Sequence, residues 1–173
     1  MEVTMEILKY TLPALIVFFT AFLILRAMIK NDEQKRNVET SLARQKTILP
    51  LRLQAYERIT MFLERISPES LIIRANQPNM TARQLQNELI STIRAEFDHN
   101  LSQQVYISHE AWEMVKKARA GIIQLINTAS EQIKPDASSI TMSKKILELV
   151  MELNVSPIGS ALIFIKKEVQ ELY

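Results

Sequence analysis

The chain opens with one apolar run and continues as a series of amphipathic stripes. Tyr10 to Ile29 reads YTLPALIVFFTAFLILRAMI, with Arg26 as its one charge, and the sixteen residues from Tyr10 to Leu25 carry none. At about 1.5 Å per residue this run would make a helix about 30 Å long, the thickness of a bilayer's hydrocarbon core. The segment before it is acidic, with Glu2 and Glu6, and no small-x-small cleavage site follows. The pattern therefore predicts an uncleaved membrane-spanning helix at 10–29 rather than a signal peptide. Arg26 lies a turn from its end, where a long stem reaches the headgroups, and Pro13 lies in its first turn, where a missing N–H costs least.

Positions 30–47 are mostly polar, with Val38 and Leu42 as sparse apolar points. They read as a solvated helical stalk. Pro50 is expected to start a new element. From there Ala55, Ile59, Phe62, Leu63 and Ile66 form a helical stripe. Ser67-Pro68 opens a short helix to about Ala75, and Gln77-Pro78-Asn79 breaks it. Thr81 with Gln84 is a capping box ahead of a long helix, 82–107, striped by Leu85, Leu89, Ile93, Phe97, Leu101 and Val105. Ser108 caps a helix from His109 to about Ile133, with Trp112, Val115, Ala118, Ile122, Leu125, Ile126 and Ala129 inward. Gly121 inside it points to a close helix contact, because glycine costs about 1 kcal/mol against alanine there. A helix over 139–153, with Met142, Ile146, Leu149, Val150 and Leu153 inward, and a last one opened by Ser156-Pro157 complete the series. The prediction is all-α: one transmembrane helix, a stalk, then a bundle of five to six helices, divided as 1–9, 10–29, 30–47 and 48–173.

Charge sets orientation. Lys9 alone precedes the span, whereas Arg26, Lys30, Lys35 and Arg36 lie at or beyond its end. The positive-inside rule then puts the N-terminus outside and the bundle in the cytoplasm, with Arg26 and Lys30 flanking the bilayer. Of 21 basic and 19 acidic residues, three and two fall in the first thirty positions, leaving 18 and 17 beyond them. That balance argues against a nucleic-acid partner. The absence of cysteine excludes disulfides and thiolate metal sites. Two glycines cannot build a phosphate loop.

Candidate chemistry is sparse. Glu96-Phe97-Asp98-His99 has the Glu-x-x-His spacing of di-iron bundles, but with only His99 and His109 in the chain a full ligand set is missing. His109, Glu110 and Glu113 offer acid–base groups without a nucleophile or an oxyanion donor. No cofactor and no catalytic centre is expected. The segment EFDHNLSQQVYIS carries an unusual density of amide and hydroxyl groups, which makes Asp98, His99, Asn100, Gln103 and Gln104 the expected interaction surface. Glu57-Arg58 and Glu64-Arg65 repeat seven residues apart on one face, either as a solvated face or as a seam for a partner helix. The span has no GxxxG and few small residues, so self-association through it has little drive.

Two segments, LRLQAYERITMFLERISP (51–68) and IRAEFDHNLSQQVYISHEAW (93–112), together with the N-terminal span, resemble a family of uncharacterised single-pass proteins of Bacteroidetes. The resemblance covers about residues 8–170 and implies a bacterial host, a membrane anchor and a helical domain, with no activity or ligand attached. The expected function is a membrane-tethered interaction or scaffold protein, its partners the lipid bilayer and another protein. The alternative is an anchored metal-binding or enzymatic bundle using Glu96, His99 and Glu110.

Overall fold

The structure is a computed structural model that describes the backbone of residues 2–172; side chains 2–14, 16, 31, 33, 34, 37, 38 and 41–45 lie outside the description. The described residues form six α-helices and one 3-10 turn, and no strand. The helices are α1 (Glu2–Arg65), α2 (Pro68–Ala75), α3 (Ala82–Asn100), α4 (His109–Glu131), α5 (Ser139–Glu152) and α6 (Pro157–Gln170). The 3-10 turn, Leu101–Val105, follows α3 directly. The chain divides into two compact units, Met1–Ile48 and Leu49–Tyr173.

In the first unit the described part of the apolar run is helical and bare. Leu15, Val17, Phe18, Phe19 and every large apolar residue from Phe22 to Ile29 stand 49–68 % exposed. Among the described residues no single helix is long and apolar enough to cross a membrane. The unbroken described stretch of the expected span, Val17–Ile29, gives only about 20 Å of helix at the usual rise. Residues Tyr10–Ala14 and Ile16, and the stalk positions Val38 and Leu42, have side chains outside the description.

Pro50 does not start an element, contrary to the sequence expectation. It sits inside α1, where its ring nitrogen has no hydrogen for the carbonyl of Lys46, on a turn exposed to solvent. The other prolines outside the apolar run do mark boundaries: Pro68 and Pro157 stand at the first turn of α2 and α6, and Pro78 and Pro135 lie in the connections.

In the second unit the stripes find one another. Ala55, Ile59, Phe62, Leu63 and Ile66 are 0–1 % exposed, as are Leu85, Leu89 and Ile93 of α3. Helix α4 is central and packs on α3, α5 and α6. Caps set where each helix begins. Thr81 and Gln84 complete the capping box at α3, and Ser108, Ser138 and Ser156 each accept a backbone N–H at the start of α4, α5 and α6. The starts of α3 and α5 are tied together, since Ala82 N–H donates to the Ala137 carbonyl and Ser139 N–H to the Met80 carbonyl. Asn79 makes the turn before α3 at φ 63°, a left-handed conformation that asparagine tolerates.

Two further expectations are corrected. Helix α3 stops at Asn100 instead of running to Ile107, and the stripe fails with it: Leu101 is 43 % and Val105 76 % exposed. A spacing of four drifts about 40° per step around a 3.6-residue helix, so a stripe that long leaves its partners. Asn100 donates its side-chain N–H to the Glu96 carbonyl, a local bond that competes with continued helix. Leu153, expected inward, is 42 % exposed just past the end of α5.

The Gly121 expectation holds. A Cβ there would stand 3.0 Å from Cγ of Pro157, so α6 begins directly against the α4 backbone. Replacing Gly121 by leucine is therefore expected to destabilise the fold by about 1–3 kcal/mol despite leucine's better helix propensity, read as a lower urea midpoint.

Candidate functional site

The most chemically distinctive place in the second unit is a cleft between residues 58–65 of α1 and the C-terminal half of α3. Spacing explains its α1 wall: Arg58 and Arg65 lie two turns apart on one face, just beside the buried stripe. Together with Met61, Glu96, His99 and Asn100 they line a cleft of about 240 Å³. A second concavity of about 480 Å³ continues from Arg65 and Glu96 along α3 past Thr92 and Ser91 to Glu88.

Phe62 lines the cleft and leads into an aromatic cluster behind it. The Phe62 ring meets Phe97 edge-on at 5.9 Å, and Phe97 stacks on Trp112 at 5.2 Å. The Arg119 guanidinium stands 4.1 Å over Phe97. Trp112 thus anchors a helix junction, while Tyr106 on the other side of the Ser108 cap is 41 % exposed.

Electrostatics centre on Glu96. Its Oε1 lies 2.6 Å from Arg65 Nη2 and 3.4 Å from Arg74 Nη1, with the Glu96 side chain only 16 % exposed. Arg74 also donates through Nη2 to the Arg65 carbonyl at 2.9 Å, so the short helix α2 is pinned to the end of α1. One carboxylate holding two guanidiniums leaves the site cationic. Arg58 is exposed and makes no ion pair among the described residues.

The structure places the expected interaction residues unevenly. Asp98, His99 and Gln104 are exposed; Gln103 is half-buried and donates to the Ser102 hydroxyl. Asn100 is 7 % exposed and bonded within its own helix, so it supports the surface without presenting it. Only His99 and Asn100 line the cleft. Of the alternative trio, Glu96 and His99 come together, and Glu110 lies at the start of α4 outside the cleft's lining. Among the described residues no three His, Asp or Glu side chains gather to hold a metal. At the start of α4, Lys116 sits 2.5 Å from Glu113 and holds that carboxyl below its ordinary range. Arg26 and Lys30 are exposed. Sequence reading saw Arg58 and Arg65 as a seven-residue repeat; Arg74 carried no signal, since only the turn after α1 brings it to Glu96.

A second polar cluster ties the elements together. Ser108 N–H donates to the Tyr56 hydroxyl at 3.4 Å, and the Ser108 hydroxyl donates to Glu168 Oε2 at 2.9 Å while accepting from Ala111 N–H. Arg52 donates to the Tyr106 carbonyl nearby. Tyr56 is 2 % exposed, and its pKa is raised above 10.0 by burial first and by the bond to Glu168 next. A raised folded-state pKa means stability present below pH about 10 and lost as pH climbs through the higher folded value. Tyr56→Phe is expected to be less stable than wild type near neutrality, by about 1 kcal/mol for the lost hydroxyl bonds. The gap should narrow above pH about 10, read by urea midpoints at both pH values.

No curated protein and no solved structure matches the chain. A family model does match it, over residues 2–172. The expectation of an uncharacterised family holds in that form: the chain belongs to DUF7935, a family of unknown function.

Proposed function

We propose that this chain is a membrane-anchored interaction protein, held by a single apolar helix at 10–29, whose helical bundle engages a protein partner. The observation that carries the reading is the bare apolar helix. Ten large apolar side chains between Leu15 and Ile29 stand 49–68 % exposed, whereas soluble proteins rarely leave such patches in water. Lipid is the solvent that such a surface suits. The excess of Arg and Lys after the run supports an N-terminus outside and a bundle in the cytoplasm of a bacterial inner membrane.

The bundle supports the interaction half. It has a core of its own, and the polar site between α1 and α3 pairs arginines with a lone carboxylate. The exposed corner at Asp98, His99 and Gln104, with Leu101 and Val105 beside it, offers mixed polar and apolar contact area.

The full-length protein is expected to stay in the membrane pellet through an alkaline carbonate wash. Release into the supernatant would overturn the anchoring. Gentle detergent extraction followed by mass spectrometry is then expected to show a stoichiometric protein partner, which Asp98→Ala with Gln104→Ala weakens. Reproducible purification of the protein alone would overturn the interaction reading.

A further inference from the structure

We infer that the cleft between α1 and α3 receives an acidic peptide segment of the partner protein, with a carboxylate taken by Arg58 and Arg65. This deepens the interaction reading above and rests on it.

Charge comes first. The deeper part of the cleft presents Arg58, Arg65 and His99 around a single carboxylate, Glu96, and Arg74 adds a second guanidinium to that carboxylate. Glu96 orders the two guanidiniums without neutralising both. Arg65 is half exposed and commits one end of its fork to Glu96, which leaves donors facing solvent in a fixed orientation. Arg58, one seven-residue step earlier, has no ion pair among the described residues. Preorganised, unneutralised guanidiniums are suited to a carboxylate, because planar forks match planar oxygens.

Shape selects a peptide over a compact anion. Met61, 54 % exposed, and the Phe62 ring give the cationic end an apolar wall. From His99 the concavity runs back along α3 past Thr92 and Ser91 to Glu88. The eleven steps from Glu88 to His99 cover about 17 Å at helical rise, the length of about five residues of extended chain. A track with cations and an apolar wall at one end, and hydroxyls along it, fits alternating acidic and apolar side chains. A free phosphate would use only the first third of it.

The test is fluorescence anisotropy of a labelled hexapeptide of alternating glutamate and leucine, titrated with the full-length protein in mild detergent. Saturable binding is expected, weakened about tenfold by Arg58→Gln and reduced by added salt. Arg58 is exposed and unpaired, so its variant keeps the fold. The same peptide with lysine for glutamate is expected not to bind. Binding that ignores Arg58→Gln, or no binding at millimolar protein, would overturn the inference. So would complete displacement by inorganic phosphate at a concentration equal to the peptide's, which would make this a bare anion site. Membrane retention is read separately. A retained protein with a confirmed partner whose cleft ignores the peptide sinks this inference alone, while peptide binding by a protein that washes off the membrane sinks the anchoring alone.

Discussion

Phe97 is the residue on which the bundle's polar geometry rests. It meets three side chains from two other helices: Phe62 of α1 edge-on, and Trp112 face-on and Arg119 over its ring, both from α4. Such contacts are each worth about 0.5–1.5 kcal/mol beyond their buried area, and they constrain angle as well as distance. With Phe97 fixed, Glu96 on the neighbouring position must project toward α1 and α2, where Arg65 and Arg74 meet it. Asn100, one turn on, is buried against the same region and closes the helix. The charged cleft is therefore a consequence of an aromatic seam beneath it.

That dependence gives Glu96 its character. An isolated carboxylate only 16 % exposed would be costly, and one guanidinium would cancel it. Two guanidiniums reverse the local sign. A Glu-x-x-His pair in an electronegative pocket would favour a metal ion; here the Glu96 carboxylate is already paired with Arg65 and Arg74. The motif read from sequence and the site read from structure share residues, and the neighbours supplied by α1 and α2 invert the chemistry.

The same contrast explains what was legible in the sequence. Stripes and caps are local, and they placed the core positions of α1, α3 and α4, the capping box at Thr81, and the close approach at Gly121. Pairing across distant segments is not local. Nothing in positions 72–76 announces that Arg74 will reach back to the Arg65 carbonyl, or that Glu168 will meet Ser108 sixty residues earlier. The misses at Pro50 and Leu101 have a shared cause: tertiary setting overrode a local rule. A helix breaker was tolerated on an exposed turn, and an apolar stripe ran past the end of its partners. Asp98 and Asn100 look equivalent in a polar run, yet one is exposed and the other serves as a buried cap, because they are two positions apart on a helix with one packed face.

Apolar composition alone does not separate a membrane helix from a core helix, and this chain contains the comparison. Helices α5 and α6 together have the length and composition of a broken span, bent by 56° between them. One face of each is nonetheless packed into the bundle: Met142 and Ile146 are 0 % exposed, and Ile158, Ala161 and Ile165 are at most 5 % exposed, while Ile140, Met151 and Ile163 on the other faces stand 61–78 % exposed. The run from Leu15 to Ile29 has no such one-sidedness. Phe18, Phe22 and Leu25 lie on one side of its axis, Phe19 and Leu23 on a second and Val17, Ile24 and Met28 on a third, and all are exposed. A stripe buried on one side is satisfied by neighbouring helices, whereas an apolar surface spread round a helix calls for apolar cover on every side, which a protein core or a bilayer can each supply. That difference in angular distribution, more than the count of apolar residues, separates the two stretches.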